Sequence, residues 1–246
     1  MRTRLPWIGA LVILGSGWGS TQTLGKIAVS TGHGAVRLLF WQTCIVLVVL
    51  GALLALRRRR PPVSRAGLHI CILIALTGTI LPNLAFYQAV THLPAGIMSI
   101  LIATIPLLSF PIALLLGTDR FSLLRLAGLL CGLAGVALIA LPRASLPDPA
   151  MTLWLPVAMI GPLFYALEAN IVARWGTAGL DPVEALFGAS LIASVLLLPA
   201  FLWREAQGAP PLAMGKAEVA LLIMSFIHAL LYVGYVALAA RAGAVF

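Results

Sequence analysis

The sequence predicts an all-α, polytopic membrane helix bundle, and its composition is the first of three observations that point there. Of the 246 residues, 61% are hydrophobic and only 9% are charged, and the mean hydropathy is +1.07. A soluble domain has about 45–50% apolar and about 25% charged residues. No soluble fold of this length could bury so much apolar surface, because the fraction of the surface that stays exposed falls only slowly with chain length. A lipid bilayer as solvent removes that difficulty.

The second observation is a series of apolar stretches, each close to the roughly 20 residues that a helix needs to cross a bilayer. Turn-forming residues such as Thr31-Gly32-His33-Gly34 and Asp181-Pro182 separate them. The eight predicted helices are Trp7–Ala28, Ala35–Leu56, Leu68–Val90, Ala95–Leu116, Ser122–Leu141, Thr152–Val172, Val183–Trp203 and Ala217–Ala239.

The third observation is where the basic residues lie. The net charge is +9, yet the 16 lysines and arginines sit in short segments at the ends of apolar stretches. With a cytoplasmic N-terminus, 11 of them fall on the inner side, including the run Arg57–Arg60. The positive-inside rule therefore predicts that orientation. Because aromatic residues do not interleave with these charges, they indicate membrane topology and not a nucleic-acid partner.

A weak internal repeat divides the chain. At an offset of 148 residues Lys26 aligns with Arg174 and Tyr87 with Tyr235. The first unit, 1–145, has five predicted helices, and the second, 150–246, has three and the start of a fourth. Since five crossings are an odd number, the second unit would be inverted relative to the first, a plan common in transporters. A complete second unit would need roughly 40 residues more, so we expect a C-terminal truncation.

Several motifs, in order and spacing, resemble the EamA-type repeat of the drug/metabolite transporter superfamily. They are Trp18-Gly19-Ser20 with Lys26, Ala85–Val90, Leu93–Gly96, Leu116–Arg120, and the glycines of the fifth helix. The resemblance covers essentially the whole chain and is stronger in the first half. It implies ten helices in two five-helix repeats, in a multi-pass protein of a bacterial cytoplasmic (inner) membrane.

Polar and aromatic side chains form stripes on single helix faces. Asn83 and Tyr87 are four residues apart, as are His228 and Tyr232, and such residues share a face. Polar groups are costly against lipid, so these stripes should face the interior, as a substrate cavity or as hydrogen bonds between helices. The candidate cavity residues are Trp18, Gln22, Asn83, Tyr87, Gln88, Tyr165, Glu168, His228, Tyr232 and Tyr235.

Glu168 is the one carboxylate inside a predicted helix and not at its end. Such a residue can relay protons or bind cations. The alternative is that Glu168 lies near the cytoplasmic end and reaches water or an inner-loop arginine. The related small multidrug transporters carry their membrane glutamate eight residues before a lysine, and that position is Trp18 here, so their coupling role does not carry over. For Lys26 and Arg37, near the outer surface, we expect snorkelling side chains.

The fifth helix carries Gly128, Gly132 and Gly135, which give it a smooth face for close helix packing. Such a motif serves packing within one chain or between two chains. Packing within the monomer is the favoured interpretation, and a homodimer remains open.

No cofactor, metal or catalytic site is predicted. Gly19–Ile27 lacks the spacing and the Ser/Thr of a P-loop, and no His-Glu-x-x-His motif occurs. The sequence therefore predicts a secondary transporter that moves a small metabolite, amino acid or drug-like solute across the lipid bilayer by alternating access. The alternatives are a non-transporting membrane partner or inactive truncated product and, less favoured, a membrane enzyme acting on lipid-linked substrates.

Overall fold

A computed structural model describes residues 5–58, 64–144, 148–208 and 214–242. Within these ranges the regular structure is entirely helical, which confirms the all-α part of the predicted fold class. The α-helices are α1 (Leu5–Ala28), α2 (Ala35–Leu56), α3 (Arg65–Ile74), α4 (Leu81–His92), α5 (Ala95–Ala103), α6 (Ile105–Leu115), α7 (Leu123–Ala144), α8 (Leu155–Trp175), α9 (Pro182–Ala206) and α10 (Lys216–Ala242).

The ten helices form eight rods, one for each predicted apolar stretch. A π-helical segment, Ala75–Ile80, joins α3 to α4, and together they make one rod, Arg65–His92. A break at Thr104, followed by Pro106, separates α5 from α6 within the rod Ala95–Leu115. Within the described ranges, six rods are long and apolar enough to cross a membrane, as expected of a multi-pass membrane protein.

Local chemistry sets several helix ends. α9 begins with a capping box, in which Asp181 accepts a hydrogen bond from Val183 N at 3.0 Å and Glu184 accepts one from Asp181 N at 2.9 Å. Gly32 and Gly34 have φ of +73° and +76°, a left-handed conformation that lets the chain reverse between α1 and α2.

Three pairings organise the bundle: α2 packs on α9, α1 on α10 and α4 on α8. The first pair forms the largest apolar core, around fully buried Leu39, Leu50 and Leu186. In the second pair Gly17 receives Leu231, since a Cβ there would come within 2.6 Å of that side chain. Gly234 receives Leu14 in the same way, at 3.0 Å. Small residues thus bring these two helices close together.

The glycine face of α7 is not packed in this way. A Cβ placed at Gly128, Gly132 or Gly135 would meet nothing within 4 Å. α7 rests on α5 and α6 with another face. Within the residues that the structure describes, the close packing predicted for these glycines inside the monomer is therefore not present.

Candidate solute-binding site

The predicted polar stripes of α4, α8 and α10 meet in the middle of the bundle. Glu168 is fully buried, and Asn83, His228 and Tyr232 are buried around it. We call the set Trp18, Asn83, Tyr165, Glu168, His228, Tyr232 and Tyr235 the central cluster. It brings together seven of the ten candidate cavity residues.

Glu168 is held from one side only. The Tyr232 hydroxyl is hydrogen-bonded to Glu168 Oε1, whereas Oε2 has no hydrogen-bond partner among the described residues. The carboxyl group is fully buried about two turns before the end of α8 at Trp175. The structure thus corrects the alternative in which Glu168 reaches water or an inner-loop arginine.

Aromatic rings line one side of the central cluster. The ring centroids of Tyr232 and Tyr235 are 5.9 Å apart, and Trp18 of α1 meets Tyr235 edge-on at 5.4 Å. The His228 ring lies 5.3 Å from that of Tyr232. The Tyr235 hydroxyl has no hydrogen-bond partner in the described part of the chain, like Glu168 Oε2.

Asn83 completes the cluster from α4. Its Nδ2 donates to the carbonyl oxygen of Thr79 at 2.8 Å, and its side chain lies near that of Tyr165 on α8. Asn170, two residues beyond Glu168, donates from Nδ2 to Ser109 Oγ at 2.7 Å and so ties α8 to α6. Sequence reasoning missed Asn170, although it lies close to Glu168 in the helix sequence.

Gly78 is the most informative residue that sequence reasoning missed. It lies in the π-helical segment, and a Cβ at this position would overlap the Tyr232 hydroxyl and the Glu168 carboxylate. Only glycine leaves room for that pair. Short π-helical insertions occur frequently at functional sites. The sequence signal was a glycine between Thr77 and Thr79 inside an otherwise apolar helix.

Two further candidates lie toward the end of the bundle where α4 stops. Tyr87 is buried, and its hydroxyl donates to Gln42 Oε1 of α2 at 2.7 Å. Tyr87 and exposed Gln88 line a cavity of about 360 Å³ that also touches Arg37 and Arg204. Tyr87, which lines this cavity, is one helical turn from Asn83 of the central cluster.

Gln22, the last candidate, is buried in α1, and its Oε1 has no described hydrogen-bond partner. Among the residues that the structure describes, no hydrogen bond joins it to Glu168 or to the tyrosines. The structure therefore leaves Gln22 outside the central cluster.

Four charged or titratable residues connect α2, α9 and α10 beside the cavity. Arg37 Nε is 2.7 Å from Glu205 Oε1, and Arg37 Nη1 is 2.9 Å from His33 Nδ1. His33 Nε2 in turn lies 2.8 Å from Glu218 Oε1. We call these four residues the Arg37 network.

Neither Arg37 nor Lys26 snorkels as expected. The Arg37 side chain is 4% exposed. Lys26 Nζ donates to the carbonyl oxygens of Val90 at 2.5 Å and Leu93 at 3.2 Å, at the C-terminal end of α4. A cation there satisfies free carbonyls and suits the negative end of the helix dipole.

Fold and central cluster together define a polytopic helical membrane protein with an unsatisfied polar site in its interior, the arrangement typical of a transporter. The model of the EamA-like transporter family matches residues 5–141, more than half of the chain. The chain belongs to the EamA-like transporter family. Family membership implies a membrane transporter, embedded in a lipid bilayer and acting on a solute.

Proposed function

We propose that this chain is a secondary transporter that moves a small metabolite, amino acid or drug-like solute by alternating access, and that the solute binds at the central cluster. The observation that carries the proposal is Glu168 in a member of a transporter family: its carboxylate is fully buried, and one oxygen has no hydrogen-bond partner in the described part of the chain. Ionisable groups inside a membrane bundle are costly and mark solute or ion pathways.

The helix pairings support two inverted repeats, 1–145 and 150–246, with the second incomplete. The offset of 148 residues places α1 on α8, and the α3–α4 rod on α10. The contact of α1 with α10 then corresponds to that of α8 with α4, while α2 and α9 correspond to each other. Binding at the interface between inverted repeats is the common plan of such transporters. The central cluster, built from α1, α4, α8 and α10, lies where the two units meet.

The distribution of basic residues supports a cytoplasmic N-terminus in a bacterial inner membrane. In that orientation the cavity beside the Arg37 network opens to the outside. Tyr87 and its bond to Gln42 would separate this opening from the central cluster in the conformation described here.

Flux measurements on the purified chain in liposomes test the proposal. The panel comprises radiolabelled amino acids, organic acids, sugars, nucleosides and organic cations, each with and without a pH gradient. We expect uptake of at least one solute class well above that of empty liposomes. Lack of flux for every class would overturn transport and favour the non-transporting partner.

Two matched glycine variants then locate the site. Gly78→Ala adds a methyl group that overlaps the Tyr232 hydroxyl and the Glu168 carboxylate, and we expect flux to fall at least about tenfold. Gly132→Ala adds the same group where nothing lies within 4 Å, and flux should stay at the wild-type level. Equal flux in both variants would contradict a site at the central cluster.

A further inference from the structure

We infer that the cavity beside the Arg37 network is a second binding site, which holds a hydroxylated organic monocarboxylate of metabolite size. This site lies outside the central cluster, so the inference goes beyond the proposed function. It comes from three features of the cavity wall: an arginine whose charge no described side chain balances, a helix start without a capping side chain, and a set of neutral polar side chains.

The cavity lies where several chain segments end together. Its wall combines the turn before α2, the first turn of α2, the C-terminal part of α4 and the C-terminal end of α9. Its volume of about 360 Å³ is in the range of small-molecule sites. His33, Arg37 and Arg204 line it, and its described lining contains no aspartate or glutamate. A concave surface lined by cations and no carboxylate attracts anions.

Arg204 supplies the charge that a ligand would balance. The charge of Arg37 is already met by Glu205 at 2.7 Å. Arg204 forms no ion pair within the described part of the chain, and its guanidinium carbon lies 5.6 Å from the centroid of the Trp203 ring. A guanidinium stacked on a ring keeps its N–H groups, which match a carboxylate in a bidentate way. One unbalanced positive charge suits a monovalent anion.

The start of α2 adds a second group that favours an anion. Gly34 is the N-cap residue and has no side chain to cap the helix, while Ala35 and Val36 of the first turn line the cavity. The first N–H groups of a helix have no acceptor within it, and they carry a partial positive charge. A Cβ at Gly34 would meet nothing within 4 Å, so the space in front of the helix is open. Such a helix start binds anionic groups.

Neutral polar side chains specify the rest of the ligand. Gln88, Thr91 and Gln207 line the same cavity and are exposed. Amide and hydroxyl groups both donate and accept hydrogen bonds, so they suit hydroxyl groups on the carbon chain of the ligand. A bare inorganic ion would leave these side chains unused in a cavity of this volume.

Calorimetric titration of the detergent-solubilised chain with D-gluconate tests the inference. Gluconate is a monovalent carboxylate with a hydroxylated chain, and D-gluconamide is its neutral analogue of the same shape. The titration is done at low ionic strength, because salt screens exposed charges. We expect saturable binding of one gluconate per chain, and the amide should bind at least about tenfold more weakly.

Substitutions at exposed positions assign the groups without disturbing the core. Arg204→Gln should weaken gluconate binding at least about tenfold, and Arg204→Lys, which keeps the charge but not the planar fork, should weaken it less. Gln88→Glu puts a carboxylate in the cavity wall and should also weaken binding. The matched control Lys216→Gln removes one exposed positive charge at the start of α10, outside the cavity wall, and should change nothing.

Three results would overturn the inference: no gluconate binding, the amide bound as tightly as gluconate, or equal losses in Arg204→Gln and Lys216→Gln, which would indicate general attraction by surface charge. A fourth would be binding of phosphatidylglycerol in nanodiscs but not of gluconate, because the anion would then be a lipid headgroup.

The outcome is separate from that of the proposed function, because binding is measured without flux. Glu168→Gln should leave gluconate affinity unchanged, and a large loss there would place the carboxylate at the central cluster and overturn a second site. Flux of other solutes with no gluconate binding would refute this inference alone. Gluconate binding without flux of any solute would refute transport alone.

Discussion

The Arg37 network and the central cluster are both polar groups in an apolar bundle, but their charged groups have different partners. In the network each negative group faces a positive or titratable nitrogen, with Arg37 against Glu205 and His33 against Glu218. In the cluster Glu168 is bonded to one tyrosine hydroxyl, and its second oxygen has no hydrogen-bond partner among the described residues. The network ties helices together, whereas the cluster leaves one carboxylate oxygen without a described hydrogen-bond partner.

This difference distinguishes polar residues that stabilise the fold of a membrane protein from polar residues that serve binding. A network of ion pairs stabilises the arrangement of α2, α9 and α10, so its loss should appear mainly in stability. Polar groups without partners in the cluster lower the stability of the folded protein, and functional sites commonly carry such a cost. Its loss should appear mainly in binding and flux.

The largest effect on stability is expected from Arg37→Leu. Breaking a buried ion pair leaves an uncompensated charge, which costs about 3–5 kcal/mol when both partners are fully buried. The Glu205 side chain is 33% exposed, so we expect the lower part, about 2–3 kcal/mol. Denaturant titration of the chain in mixed micelles measures it.

The double variant Arg37→Leu with Glu205→Leu is the control. It removes both charges, so it should regain part of the loss. If the double variant loses as much stability as Arg37→Leu and Glu205→Leu lose together, Arg37 acts through packing and not through its charge.

The next largest effect on stability is expected within the central cluster, where two tyrosines can be compared. Tyr232→Phe removes the hydroxyl that bonds to Glu168 and leaves both carboxyl oxygens without a described partner, which should cost about 1–3 kcal/mol. Tyr235→Phe removes a hydroxyl that has no such partner, so its effect should stay within about 0.5 kcal/mol. The same titration compares the two, and equal losses would contradict the described bonding.

Sequence reasoning predicted the fold well because the signal was repeated along the whole chain. Each rod is a run of apolar residues of bilayer length, and the helix ends differ by a few residues, as for Leu68–Val90 against Arg65–His92. It missed the π-helical segment at Ala75–Ile80, because such an insertion depends on what packs beside it.

The site was predictable only in part. Period and polarity selected Glu168 and the tyrosines, since an interior face is the one place where they are tolerated. Sequence reasoning missed Gly78, because the need for a glycine follows only from the position of Tyr232 of α10 against it. It predicted packing at Gly128 and not at Gly17, because spacing alone does not show which glycines meet a neighbour.

A smaller effect is expected at the boundary between cavity and cluster. Tyr87→Phe removes one buried hydrogen bond, and Gln42 Oε1 loses its donor, so stability should fall by about 1 kcal/mol. Because Tyr87 lines the cavity and is one helical turn from Asn83, the variant should also release solute faster from preloaded liposomes. The control is Gln88→Ala, an exposed residue on the same cavity wall. Faster efflux in both variants would argue against Tyr87 as the boundary.

The smallest effect is expected at the opposite end of the bundle. Arg57 Nη1 is 3.5 Å from Asp181 Oδ1, and the two side chains are 52% and 38% exposed. Exposed pairs contribute about 0–1 kcal/mol and are screened by salt, so Arg57→Gln should change stability by less than about 0.5 kcal/mol. Asp181 keeps its capping role for α9 in that variant, since Val183 N still donates to it. The role of Arg57 would then be to keep its segment on the cytoplasmic side, as the positive-inside rule describes. In variants of Arg57–Arg60, cysteine labelling should show a less uniform membrane orientation, while stability stays unchanged. A large loss of stability in Arg57→Gln would instead place a second structural network at this end.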